Sequence, residues 1–150
     1  VQQPLLLMVL AAFVTACSSL GGMQQRFTVC DYDRAWEAAL DAAKDRAIRT
    51  EDKEAGRIVT SWEEIPMPGR TYGAMKRQIA DSKDRSRISL TVRRLDDVTQ
   101  ISFVEQRQQW AFRGGNKFMG WVPSPPSRAV MRNVHESLNA KLQERGCSLS

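Results

Sequence analysis

The feature that most constrains the fold is a strict alternation of apolar and polar residues over residues 87–94. Ile88, Leu90 and Val92 fall on one side of an extended chain, whereas the residues between them are polar or charged. Because successive side chains of a strand point to opposite faces, this segment predicts a β-strand with one buried face. Such a strand needs neighbouring strands and a covering layer.

Two amphipathic helices, one near each end of the chain, are predicted to supply that layer. After Asp31, a suitable N-cap, apolar residues including Trp36 recur at three- and four-residue spacing. The second helix is predicted from Ser127, another good N-cap, to Arg145, and Gly146 ends it. Its apolar stripe consists of Val130, Val134, Leu138 and Leu142.

We therefore expect an α+β fold, an antiparallel sheet of four strands with both helices packed on one face. A strand at residues 26–30 would make five. The remaining strands are predicted at residues 47–50, 57–62 and 98–110. Glu105 takes an inward position in the last of these, so we expect a bulge or the end of core contact there. Residues 63–84 and 113–126, rich in Pro and Gly, are expected to be irregular.

The amino terminus predicts a targeting segment. Residues 1–25 carry no charge, and residues 4–16 form an apolar run that is too short to span a bilayer as a mature helix. The run ends in Val14, Thr15, Ala16 and Cys17, which resembles the lipobox of bacterial lipoproteins. That resemblance implies a signal peptide over residues 1–16 and a diacylglyceryl group with a further acyl chain, such as palmitate, on Cys17. Residues 17–25 would be a flexible tether, and Ser18 favours the outer membrane.

Assigning Cys17 to lipid leaves two cysteines, Cys30 before the first predicted helix and Cys147 after the last. An oxidising periplasm permits a disulfide between them, and a bridge closing so long a loop would contribute roughly 4 to 5 kcal/mol in the chain-entropy model. The alternatives are two free thiols, or one thiol paired with a partner protein.

The positive charge is unevenly distributed. The chain has 22 Lys and Arg against 17 Asp and Glu, a net charge of +5, which is too small to require nucleic acid, and we expect none as a partner. A cluster of cations between residues 76 and 94 predicts contact with anionic headgroups, lipid A phosphates or an acidic partner; the alternative is a solvated surface. Its members are Lys76, Arg77, Lys83, Arg85, Arg87, Arg93 and Arg94.

Residues typical of catalysis are scarce. The single histidine, His135, flanks the apolar stripe of the last helix and is interpreted as a packed or surface residue. The sequence has no Cys or His cluster with metal-ligand spacing and no phosphate-binding Gly-rich loop. Glu63 and Glu64 are adjacent on an extended segment and would point to opposite faces. We expect a protein that is not an enzyme, with no metal, no small-molecule substrate and no cofactor beyond the lipid on Cys17.

A resemblance to a known family rests on two segments, residues 35–40 (AWEAAL) and residues 51–58 (EDKEAGRI), followed by alternating strands and a terminal amphipathic helix. This pattern resembles the helix-grip domains of the BamC lipoproteins of β-barrel assembly. It also resembles the LptE lipoproteins of lipopolysaccharide assembly, whose sheet is covered by two helices. The chain length predicts one domain, over residues 26–150, whereas BamC lipoproteins have two. Both resemblances imply a periplasmic domain that contacts an envelope protein complex.

Two functions follow as expectations. The first is an accessory subunit of such a complex, in which Phe118 and Trp121 contact the partner; packing across the open end of the sheet is their alternative role. The second is lipid or glycolipid binding in a groove between the sheet and the final helix, with the basic cluster receiving phosphates. An adaptor should have a core filled by Trp36, Trp62, Leu90 and Phe103, whereas a binding protein should leave an apolar cavity.

Overall fold

The computed structural model describes residues 22–72, 74–79, 82–113 and 118–149. The predicted signal peptide, the lipobox and Cys17 lie outside the described residues. Within them the chain is α+β, with two helices and a large antiparallel sheet. The elements are β1 (Gln24–Val29), α1 (Tyr32–Ala43), β2 (Ile48–Asp52), β3 (Arg57–Thr60), β4 (Glu63–Pro66), β5 (Arg70–Tyr72), β6 (Arg77–Ile79), β7 (Lys83–Leu95), β8 (Val98–Phe112), β9 (Met119–Ser124), α2 (Arg128–Glu144) and β10 (Ser148–Leu149).

The main sheet has eight strands in the described residues, more than the four or five expected. Its central order is β10-β1-β8-β7-β3-β2, and every pairing is antiparallel. Strand β4 pairs with β7 beyond the end of β3, and β9 pairs with the far half of β8. Strands β5 and β6 form a separate hairpin.

The long hairpin of β7 and β8 forms the centre of the sheet. The predicted strand at residues 87–94 is confirmed within β7, where alternate residues are buried. The predicted break near Glu105 is wrong, because β7 and β8 pair without interruption from Leu95 opposite Val98 to Asp84 opposite Gln109. Glu105 is 1% exposed and bonded to other polar groups, so the strand continues through it.

The two irregular segments predicted from Pro and Gly content are also largely wrong. Residues 63–84 contain β4, β5 and β6, and residues 113–126 contain β9. Pro66 and Pro123 lie in β4 and β9, each of which pairs with a single neighbouring strand. Proline is tolerated on such edge strands because one side of the strand needs no backbone donor. Strand β4 pairs with β7, and β9 pairs with β8. The local pattern of apolar and polar residues cannot predict such a pairing, because it does not show which distant strand lies alongside.

Both helices begin at the predicted caps. The Asp31 carboxylate accepts a hydrogen bond from the Arg34 amide at 2.8 Å, and the Ser127 hydroxyl accepts one from the Val130 amide at 3.5 Å. Helix α2 ends at Glu144, and Gly146 follows with a φ of +68°, a conformation that favours glycine after a helix.

The core contains buried residues from both helices and from one face of β3, β7 and β8. Trp36, Leu90 and Phe103 are buried in it as predicted, but Trp62 is only half-buried and contacts the other face. Of the α2 stripe, Leu138 and Leu142 are buried, whereas Val130 and Val134 are half-buried. The largest apolar members of the core are Trp36, Ile58, Ile88, Leu90, Ile101, Phe103, Leu138 and Leu142.

Cys30 and Cys147 are joined by a disulfide, with their Cα atoms 5.2 Å apart. Cys147 is buried beside the core, and the bond connects the end of β1 to the segment after α2.

The turn between β2 and β3 requires a glycine at position 56, where the φ of Gly56 is +65°. A Cβ atom there would lie 2.1 Å from the Val92 carbonyl oxygen, so only glycine fits.

Candidate binding face

The outer face of the sheet, opposite the core, carries a row of alternating aromatic rings and cations. Odd-numbered residues of β7 point to this face, because its even-numbered residues are buried. The cations come from β7, whereas the rings come from β8, β9 and the link between β3 and β4. We define the Trp–cation face by its six members, Trp62, Trp110, Trp121, Lys83, Arg85 and Arg87.

The distances show a continuous stack. Lys83 Nζ lies 5.4 Å from the ring centroid of Trp110 and 5.3 Å from that of Trp121. Arg85 Cζ lies 4.4 Å from the Trp121 centroid and 4.5 Å from that of Trp62, so its guanidinium is held between two rings. Arg87 Cζ lies 4.6 Å from the Trp62 centroid. Contacts of this kind contribute about 0.5 to 1 kcal/mol each at exposed sites.

Strand register positions the rings. Trp110 and Trp121 are directly opposite each other on β8 and β9, and their centroids are 5.2 Å apart in an edge-to-face arrangement. Trp62 lies in the two-residue link between β3 and β4, which brings it over the cations of β7. All three rings are half-buried. The row is therefore held by paired backbone and packed rings.

Hydrogen bonds fix the arginines but leave donors free. Arg85 donates from Nε to the Gln108 side-chain oxygen at 2.7 Å, and Arg87 donates from Nε to Gln106. Within the described part of the chain, the hydrogen bonds of these two guanidinium groups involve Nε alone. Their terminal amino groups are available to an acceptor from outside. Lys83 forms an ion pair with Glu64 at 3.0 Å.

Like charges are crowded on this face. The pKa of Arg87 is lowered, first by its burial and then by the positive charges of Arg49 and Arg85. An anionic group placed here would relieve that repulsion. Beside Trp62 there is an open groove of about 480 Å³, whose lining includes Trp62, Arg87, Val104, Gln106, Gln108 and Pro123.

The structure brings together four residues that the sequence predicted for two separate roles: Lys83, Arg85, Arg87 and Trp121. Phe118 is 76% exposed and lies just before β9, and it is not a member of the row. The other members of the basic cluster lie elsewhere. Lys76 is in the turn before β6, Arg77 is in β6, and Arg93 and Arg94 are at the opposite end of β7, where Arg94 lies over the ring of Tyr32.

Sequence reasoning missed Trp62 and Trp110 as members of this face. A signal was present for Trp110, because it falls out of phase with Ile101 and Phe103 on β8 and shares its phase with Gln106 and Gln108. Trp62 gave the wrong signal, since it continues the alternation of Ile58 and Thr60 beyond the end of β3.

A second polar cluster lies on the inner face of the same strands, and we call it the buried ion network. Asp84 and Glu105 are 3% and 1% exposed. Arg107 donates to Asp84 at 2.9 Å and to Glu105 at 3.1 Å, and Arg70 donates to Asp84 at 2.7 Å. Ser86 donates to Glu105 at 2.6 Å.

The second oxygen of Glu105 accepts a hydrogen bond from the Ser127 amide at the start of α2. Both oxygens of each carboxylate are thus occupied by donors, and the two acids are held as structural anions. Of the acids predicted to lie on opposite faces, Glu63 pairs with Arg46 and Glu64 with Lys83.

The space between the helices and the sheet is small. A cavity of about 190 Å³ lies there, lined by residues that include Ala42, Ile88, Val130 and Val134. In the described ranges no group of three or more His, Cys, Asp or Glu side chains is arranged to hold a metal ion. No helix among the same residues is long and apolar enough to cross a bilayer.

His135 is half-buried, and the centroid of its ring lies 6.3 Å from that of Phe103, in an edge contact. This placement agrees with a packed residue.

In comparisons with known proteins, no family model matches this chain, and no curated protein matches it.

Proposed function

We propose that this chain is a noncatalytic, lipid-anchored subunit of a cell-envelope complex that binds its protein partner through the Trp–cation face. The observation that carries the proposal is the row of half-exposed tryptophans and cations on three paired strands and the link before β4. Tryptophan and arginine dominate the energetics of protein interfaces. The free guanidinium donors suit acidic side chains or backbone carbonyls of the partner.

The anchor in this proposal is the acyl-modified Cys17, in the outer membrane with the domain facing the periplasm. Its support is the lipobox-like segment of the sequence and the disulfide between Cys30 and Cys147, since disulfides persist in oxidising compartments. We further propose that the domain is helix-grip-like. A core shared by both helices and one sheet face supports this, although the sheet has eight strands in the described residues.

A second candidate function is glycolipid binding, and one observation favours it. The groove beside Trp62 has a volume of about 480 Å³, within the usual range for ligand sites, and its amide and guanidinium groups can bond hydroxyls. The cavity between the helices and the sheet, about 190 Å³, is smaller than that range. A glycolipid would therefore be expected on the outer face rather than in the groove predicted from sequence.

The test is site-specific photo-crosslinking in intact cells. Phe118 is replaced by benzoylphenylalanine. Because Phe118 is exposed, the replacement should not disturb the fold. The probe is attached three residues before Trp121, a member of the row. We expect one defined protein adduct, identified by mass spectrometry. Arg85→Glu reverses the central charge of the row and should abolish the adduct.

The matched control is Arg93→Glu, which makes the same charge reversal on the same strand but outside the row. An adduct that survives Arg85→Glu would contradict the partner-binding role of this face. An adduct with a glycolipid in place of a protein would establish the second candidate instead. The anchor is tested separately, since Cys17→Ala should release the protein from membranes, and unchanged retention would contradict the lipid anchor.

A further inference from the structure

A pocket of about 450 Å³ lies between the start of β1 and the first two turns of α2, and none of the six members of the Trp–cation face lines it. Arg128, Arg132 and His135 share one side of α2, because they are spaced by four and three residues. The remaining lining residues are Gly22, Gln24, Pro126 and Met131. We call this the α2 pocket.

The α2 pocket is positive and short of acceptors. None of the described residues that line it is acidic. Arg128 and Arg132 are exposed, and within the described residues neither has a hydrogen bond or an ion pair. Two guanidinium groups therefore line one pocket that has no acidic side chain among its described lining residues.

Behind the pocket, Arg26 of β1 extends this excess of donors. Its Nη2 donates to Nε2 of His135, and its Nε is buried with no hydrogen-bond partner in the described structure. Since a guanidinium only donates, this hydrogen bond requires Nε2 of His135 to act as the acceptor. A buried donor without a partner is costly. Arg26 does not line the pocket, but its contact with His135 places a third positive charge beside it.

The electrostatics of His135 agree with this geometry. Its pKa is lowered, first by burial and then by the positive charge of Arg26, while Glu136 on the same helix opposes the shift. Phe103 contributes an uncharged ring edge from β8. An anion in the pocket would reverse this balance and favour the protonated ring.

We propose that the α2 pocket binds a phosphate group, with Arg128 and Arg132 as its charged ligands. His135, which also lines the pocket, could donate to a phosphate oxygen once its ring is protonated, and its Nε2 would then no longer accept from Arg26. Arginine suits this role because its planar donors match phosphate oxygens in pairs. The basic cluster at residues 76–94, which the sequence suggested for phosphates, is not part of this pocket.

The source of the phosphate is a lipid headgroup or a free phosphate ester, and the position of Gly22 bears on the choice. A Cβ on Gly22 would lie 2.7 Å from Pro126 Cγ, so the backbone of Gly22 runs directly against that ring at the pocket edge. Gly22 is five positions after Cys17, a reach of at most about 18 Å. The headgroup alternative thus rests on the anchor proposed above, whereas phosphate binding does not.

His135 supplies a specific probe, because it is the only histidine of the chain. The full chain, carrying ¹³C at the histidine Cε1 position, is titrated with pH by NMR in a nonionic detergent at constant ionic strength. One series contains inorganic phosphate, a second contains dihexanoyl phosphatidylglycerol below its micelle concentration, and a third contains chloride alone. We expect phosphate to move the midpoint of the His135 titration upward.

The variant is Arg132→Gln, which should weaken phosphate binding about tenfold, the loss expected for one hydrogen bond to a charged group. Arg132 is exposed, so its replacement should leave the fold intact, and thermal unfolding checks this. Arg93→Gln is the matched control, an exposed arginine away from the pocket, and it should change nothing.

Tighter binding of the phosphatidylglycerol would assign the pocket to a lipid headgroup, and tighter binding of inorganic phosphate would assign it to a free phosphate. A His135 midpoint that stays the same in all three series would overturn the proposal. A shift that Arg132→Gln does not reduce would also overturn it. Neither result bears on the Trp–cation face, so the two proposals fail independently.

Discussion

Both faces of the β7–β8 hairpin carry charged side chains, but these are buried and fully paired on the inner face and half-exposed on the outer face. On the inner face, Asp84 and Glu105 are almost fully buried, and their oxygens accept from Arg70, Arg107 and other donors of this chain. On the outer face, the cations lie between tryptophan rings, remain half-exposed and keep donors free. Neighbouring residues of one strand, such as Asp84 and Arg85, belong to different faces.

This contrast indicates which charges hold the fold and which are available for binding. A buried charge is tolerated only with full pairing, and removal of one partner leaves the other uncompensated. A charge at the surface is screened and contributes little to stability, but it can orient and select a partner. The inner face should therefore control unfolding, and the outer face should control association.

The largest effect is expected from Glu105→Ala. The substitution leaves the Ser86 hydroxyl and the Ser127 amide without their acceptor, and Arg107 keeps only Asp84 as its buried partner. Breaking a buried pair in this way costs about 3 to 5 kcal/mol. Urea unfolding followed by tryptophan fluorescence would measure the loss.

Glu64→Ala is the matched change on the outer face, because Glu64 pairs with Lys83 and its side chain is 57% exposed. We expect a change within about 0.5 kcal/mol for this variant. Equal losses for the two variants would remove the distinction between the faces.

Most of the elements that form the core could be predicted from local sequence patterns. The alternation at residues 87–94 and the caps at Asp31 and Ser127 were sufficient for β7 and both helices, because those signals are local. Strands β4 and β9 were missed because they contain Pro66 and Pro123, and only a distant partner strand makes them extended.

The candidate site was predictable only in pieces. Lys83, Arg85, Arg87 and Trp121 could be selected from composition, yet nothing in the sequence placed Trp121 beside β7. Their meeting depends on the β8–β9 register, in which Trp110 and Trp121 are opposite each other. Glu105 was read as a break because its partners come from β7, β8 and α2, and local alternation cannot reveal them.

The second prediction concerns association through the outer face. Once the crosslinked partner is identified and purified, Trp121→Ala should weaken its binding by about 2 kcal/mol or more, which is roughly 30-fold in Kd. The central position of Trp121 in the row is the reason, since its ring contacts both Lys83 and Arg85. Phe118→Ala is the control at the edge, and titration calorimetry should give a smaller loss. A larger effect at Phe118 would move the binding centre off the row.

A third set of ion pairs, between the helix ends, is intermediate in burial. Asp41 of α1 pairs with Lys44 and with Arg145 after α2, and its side chain is 19% exposed. The hydrogen bond from Lys44 lowers the pKa of Asp41 most, the hydrogen bond and charge of Arg145 lower it further, and burial opposes both. Asp41→Asn should cost about 1 kcal/mol or less at neutral pH.

The dependence on pH has a defined sign. Because the folded pKa of Asp41 lies below its ordinary value of 3.8, the stabilisation is complete above that value and is lost as the pH falls through the folded pKa. The difference between the native chain and Asp41→Asn should therefore shrink in acid. Urea unfolding at a series of pH values measures it, and a difference that grows in acid would contradict the assignment.

The smallest expected effect is the change with salt of the coupling energy between two paired charges. This change should also distinguish the two faces most clearly. A double-mutant cycle on Lys83 and Glu64, whose side chains are 38% and 57% exposed, should give about 0.2 to 1 kcal/mol at low salt. Raising the ionic strength from about 0.1 M to about 1 M shortens the screening length from about 10 Å to about 3 Å and should remove most of this coupling. The same cycle on Arg107 and Asp84, 13% and 4% exposed, should hardly change, because solvent ions do not reach that pair. A coupling on the inner face that falls with salt as steeply as the outer one would mean that water enters the buried ion network.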